Sequence, residues 1–139
     1  MNNKAVLKKG LKNSVEVILA LGKVIVPVTF LVTFLDHSGW LKTIASYAKP
    51  LMEIFGLPGE SAIVLVIGGL TNVYGAVGAI LNMELTQAQI TILAVMITIS
   101  HSLPSETAVV AKAGAKAQWV LFARIFAALL FGFLVSLLL

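Results

Sequence analysis

The sequence predicts an all-α fold: a polytopic helical membrane protein with broken helices and a re-entrant hairpin. Three observations predict it. First, 59% of the 139 residues are hydrophobic, 12% are charged, and the mean hydropathy is +1.01. A soluble domain is about half apolar and roughly a quarter charged, and a chain this short cannot hide so much apolar surface in one core. Second, the apolar residues gather in runs long enough to cross about 30 Å of hydrocarbon. Third, the polar residues that interrupt these runs are clustered. The densest cluster is "ISHSLPSETAVV" at 99–110, which puts His101, Ser102, Pro104, Ser105, Glu106 and Thr107 into seven positions.

The same composition excludes several classes of function. The net charge of +4 comes from lysines that flank apolar segments, as expected beside anionic lipid head groups, so a nucleic-acid partner is not expected. With no cysteine, there is no disulfide, thiolate metal site or cysteine nucleophile. No phosphate-binding loop, HExxH or GxSxG is present. No enzyme activity, cofactor or metal is expected.

The first element follows a basic start, Lys4, Lys8, Lys9 and Lys12. The apolar run from about 14 to 35 is too long for a signal-peptide core and has no A-x-A site after it. It is expected to be a retained transmembrane helix. It carries Pro27, expected to kink it, and Lys23. The lysine either snorkels or pairs with Glu16 on the same face, or faces a polar cavity.

Residues 36–49 are too polar to span. Trp40, Leu41, Ile44, Ala45 and Ala48 recur at helical spacing, so an interfacial helix is expected over about 38–49, with Lys42 and Lys49 on its wet side. Pro50 and "GLPGES" at 56–61 break the chain, and Ser61 is a candidate N-cap. The third element, about 61–82, reads "SAIVLVIGGLTNVYGAVGAILN" and is long enough to cross the membrane. Gly68, Asn72, Gly75 and Ala79 share one face. That face is either a small-residue packing seam or part of a broken helix whose freed carbonyls line protein or a cavity.

After a short loop, Thr86 caps the next helix, which is apolar to about residue 100. The final transmembrane helix is expected over about 118–139, with Trp119 and Arg124 as interface anchors. Between them, two topologies compete. Segment 87–100 either spans, leaving the polar cluster on the far surface, or turns at "HSLPSE" and returns along 107–117. The limbs of such a hairpin are roughly 15–20 Å long, too short to span. If 87–100 spans, Lys4, Lys8, Lys9 and Lys12 stand against Lys42, Lys49, Lys112, Lys116 and Arg124, four against five. With a hairpin the count becomes seven against two, a positive-inside bias with the N-terminus cytoplasmic. A re-entrant hairpin over about 87–117 is therefore expected within a single membrane domain, 1–139.

A hairpin tip near mid-membrane would gather unpaired backbone amides, a cap from Ser105, and the side chains of His101, Ser102, Glu106 and Thr107. Half-helix termini meeting at the midplane are how secondary transporters build substrate sites. The alternative is that Ser105 and Glu106 cap a surface helix.

The runs "PLMEIFGLPGESA", "GGLTNVYGAVGAI" and "LTQAQITILAVMITISHSLPSETAVVAKAG" resemble the Gate, or nucleoside-recognition domain, family of small bacterial inner-membrane proteins. The resemblance covers roughly 15–139. The family is related to the spore-maturation membrane pair and more distantly to ferrous-iron and concentrative nucleoside transporters. The absence of cysteine departs from the iron branch. The resemblance implies a transport-type site in which Ser105–Glu106 matches a substrate-contacting pair at a hairpin tip and Asn72 sits in a matching broken helix.

The expected substrate-binding set is therefore Asn72, His101, Ser102, Ser105 and Glu106, with Thr71 and Thr107 nearby. His101 and Glu106 could couple transport to protons. The expected function is a transporter-like unit for a small polar solute: a nucleoside-like molecule, an organic anion or an ion. A non-transporting subunit that scaffolds a partner membrane protein is the alternative. No second copy of the hairpin and broken helix appears in 139 residues, so a homo-oligomer, or a heteromer with a related small membrane protein, is expected in the lipid bilayer. Its interface would include the glycine face of 61–82 and the hairpin.

Overall fold

The computed structural model describes residues 3–139. Among the described residues, three segments are long and apolar enough to cross a membrane: Val6–Leu35, Gln87–Lys112 and Ala117–Ser136. The first lies within α1, Asn3–His37, which continues through Pro27. At about 50 Å, α1 exceeds the thickness of the hydrocarbon. Glu16 in α1 pairs with Lys12 at 3.7 Å, not with Lys23.

Gly39, in the left-handed conformation at φ 78°, turns the chain into α2, Trp40–Met52. Leu41 is buried, Ile44, Ala45 and Ala48 are half-buried, and Lys42 and Lys49 are exposed, whereas Trp40 of the same apolar set is exposed. A 3-10 turn, Glu53–Phe55, leads to α3, Ser61–Leu70. Gly59 sits against the Ala45 carbonyl, where a Cβ would collide. Ser61 is not the N-cap. Glu60 holds that position, and Ser61 is fully buried with no hydrogen-bond partner for its Oγ.

The next helix, α4, spans Val73–Ile80. It folds back on α3: Gly68 lies against Ala76, and Gly75 against Ile67 and Thr71. Ala76 and Ile80 of α4 share a groove with Ile97 and Ile90 of α5, Gln87–Ser100. Limbs of 10 and 8 residues are about 15 and 12 Å long, too short to span. Segment 61–82 is thus itself a helical hairpin with its tip at Thr71–Asn72, not a broken span. The glycines are the physical cause, because their missing side chains let the limbs close.

The hairpin expected over 87–117 is not borne out. Two helices follow α5: α6, Leu103–Lys112, and α7, Ala117–Ser136. Gly132 lies against Met96, while Arg124 bonds the Ile99 carbonyl further along α5. Beyond Gly132, Val135 packs on the core, and α7 contacts the 3-10 turn. That turn adjoins the start of α5, where Gln89 Nε2 donates to the Gly56 carbonyl at 3.3 Å. So α7 runs antiparallel to α5, and α6 must carry the chain to the end away from Gln87. A re-entrant 87–117 would have returned it to the same end.

The core lies at the end shared by α2, the 3-10 turn and the base of the hairpin. Val32, Phe55, Val64, Ala79, Leu93 and Met96 are buried there. Beyond the hairpin tip the long helices expose large apolar side chains such as Ile18, Leu19 and Phe122, a surface suited to lipid.

Candidate functional site

Two breaks meet inside the bundle. The first is the hairpin tip. α3 stops at Leu70, Thr71 Oγ1 donates back to the Ile67 carbonyl at 2.7 Å, and Asn72 is extended at φ −165°. Asn72 Oδ1 accepts from Gly75 N–H at 3.0 Å and so caps α4. Asparagine suits that role because its short carbonyl reaches an otherwise orphaned amide.

The second break separates α5 from α6. His101 is extended, and Ser102 takes φ 52°, the only left-handed non-glycine among the described residues. Such a conformation persists only where its surroundings enforce it. Here Ser102 N–H donates to the Gly68 carbonyl at 3.2 Å and Ser102 Oγ donates to the Thr71 carbonyl at 2.9 Å. The hairpin tip therefore holds the break open. Pro104 in the first turn of α6 has no amide to leave unpaired. Ser105 does not cap α6: its Oγ donates to the Ser102 carbonyl at 3.0 Å, and the residue is exposed.

Arg124 locks the second break. Its Nε donates to the Ile99 carbonyl at 2.9 Å and its Nη2 to the His101 carbonyl at 3.2 Å, while Nη1 binds Glu106 Oε2. The electrostatics are complementary. The cation meets the negative end of α5, and Glu106 meets the positive end of α6. His101 Nδ1 lies 3.6 Å from Glu106 Oε1 and is buried without a hydrogen bond. An apolar cleft of about 200 Å³ opens beside the break, walled by Leu65, Met96, Leu103 and Ala128.

Of the expected set, Thr71, Asn72, His101, Ser102 and Glu106 converge at the two breaks. Thr107 follows Glu106 and is half-buried; Ser105 points outward. Sequence reasoning missed Arg124, which was read as an interface anchor. It lies seven residues inside α7, about 10 Å deep, and a charge at that depth signals an internal partner. It also missed Gly68, whose carbonyl receives Ser102. No group of His, Asp and Glu fit to hold a metal occurs among the described residues.

The nucleoside-recognition family known as Gate matches residues 18–119. The chain belongs to the Gate family. It is also similar to the uncharacterized membrane protein YvoD of Bacillus subtilis (strain 168), with 39% identity over 122 residues. That match covers 88% of this chain and 39% of YvoD, so the chain spans about two fifths of the length of this relative. No solved structure matches significantly. The three apolar spans and the similarity to a membrane protein mark the chain as a membrane protein. Both hairpin limbs and the α5–α6 break fall inside the family match.

Proposed function

We propose that this Gate protein is a transporter-like unit for a small polar solute, with its site where the hairpin tip meets the α5–α6 break. One observation carries the reading: Ser102 ties the two breaks together within the membrane region through the Gly68 and Thr71 carbonyls. Non-helical backbone at that depth is tolerated where it lines protein or a cavity. Asn72, His101 and Glu106 present donors and acceptors around it. His101 and Glu106 also offer a route for a coupled proton.

The lysine distribution supports an orientation in the cytoplasmic membrane. With the hairpin at 61–82, Lys4, Lys8, Lys9, Lys12, Lys112 and Lys116 share one side, and Lys42 and Lys49 the other. That is six against two, which favours a cytoplasmic N-terminus.

Thermal stabilisation by a panel of nucleosides, organic anions and ions, with parent protein and Glu106→Gln, tests the site. A solute that stabilises the parent but not the variant supports it. Equal response of both proteins to every solute removes Glu106 from any site. The second reading, a non-transporting subunit, is favoured by the closure of the Arg124–Glu106 pair on itself. It predicts no stabilisation by any solute, together with co-purification of a partner membrane protein.

A further inference from the structure

Besides Arg124 and Glu106, Lys23 is a further charge within the apolar span of this membrane protein. Ile25 packs its backbone on Gly78 of the hairpin, which fixes the depth of α1. Lys23 lies within about 6 Å of the level of the hairpin tip, so it cannot reach a head group by snorkelling. It cannot reach its own site either. Thr29 and Val32 mark the face of α1 that meets the hairpin, and Lys23 is exposed on the other side. Among the described residues it pairs with no carboxylate. An ammonium at this depth is expected to find a partner.

The chain has six acids, Glu16, Asp36, Glu53, Glu60, Glu84 and Glu106. Glu16 is paired with Lys12 towards the N-terminal end of α1. Asp36, Glu53, Glu60 and Glu84 fall at the end where α1 finishes. Glu106 alone is near the tip, one turn past Ser102. Its side chain is 44% exposed, and its Oε1 is engaged only at 3.6 Å by His101. Side chains lean towards the N-terminus of their own helix. Lys23 in α1 and Glu106 in α6 therefore lean towards the same level.

We propose that Lys23 of one copy pairs with Glu106 of a second copy in a parallel assembly. The outer face of α1, with Leu19 and Val26, docks on the α6–α7 side of the neighbour. The second copy thereby contributes a cation to the site, which is incomplete without it. The pairing does not depend on which solute, if any, the site binds.

The test uses full-length chains in native membranes. Leu19→Cys and Val109→Cys are placed on separately tagged, co-expressed copies; these positions are 60% and 66% exposed, and Lys23 and Glu106 stay intact. A bis-maleimide should give dimers carrying both tags. Lys23→Met in both copies should lower that yield several-fold, and Lys23→Arg should preserve it. Methionine suits a lipid-facing helix, so retention of the normal helical spectrum separates lost pairing from lost fold. Absence of mixed dimers, or a yield indifferent to Lys23→Met, overturns the proposal.

Discussion

Replacing Arg124 with methionine removes the cation that closes the α5–α6 break while keeping most of the side chain's volume. Three interactions go: those with the Ile99 carbonyl, the His101 carbonyl and Glu106. Breaking a fully buried ion pair costs about 3–5 kcal/mol. The Arg124 side chain is 21% exposed and Glu106 44%, which lowers the cost. Two carbonyls are also left without their charged donor, and hydrogen bonds to charged groups contribute about 1.5–3 kcal/mol each. The expected loss is about 3 kcal/mol. Adding Glu106→Gln removes the orphaned carboxylate, so the double variant should recover about 1–2 kcal/mol of that loss. Reversible unfolding in mixed micelles of mild and denaturing detergent, followed by circular dichroism, measures both. A loss under about 0.5 kcal/mol for Arg124→Met, or simple additivity in the double variant, would refute the role assigned to this pair.

Three further outcomes follow from the topology and the core. Single cysteines at Gln87 and Lys112 should label from opposite sides of the membrane, because α5 and α6 carry the chain across; labelling from one side would restore a hairpin at 87–117. Ser61→Ala should leave stability unchanged or raise it by about 1 kcal/mol, since it removes a buried hydroxyl without a partner. A loss of about 1 kcal/mol in the melt would instead mark Ser61 as a cap. Gly59→Ala should lower thermal stability by about 1–3 kcal/mol, because the new Cβ meets the Ala45 carbonyl, which is backbone and cannot swing aside. A melting temperature equal to the parent's would show that α2 packs less closely on this loop.

What the sequence alone determined is what depends on local chemistry. Hydropathy and lysine placement marked the long apolar helix before residue 36, the short helix after it, and the last apolar helix. Thr86 announced the cap that starts α5, and the structure completes it as a capping box with Gln89, with both hydrogen bonds. Clustered polar residues marked where helices break, at Thr71–Asn72 and at His101–Ser102. The sequence did not determine which break reverses the chain. Both segments are apolar and interrupted, and each break offers capping side chains. The difference is set by what approaches from elsewhere. Gly68 and Gly75 let α4 close on α3, while α7 lies antiparallel along α5 and holds the second break through Arg124. Direction after a break is fixed by contacts between residues far apart in the chain, such as Arg124 with Ile99 and Ser102 with Gly68. No local pattern encodes these contacts, so only the tertiary structure placed the hairpin at 61–82 and turned Arg124 from an apparent interface anchor into the lock of the α5–α6 break.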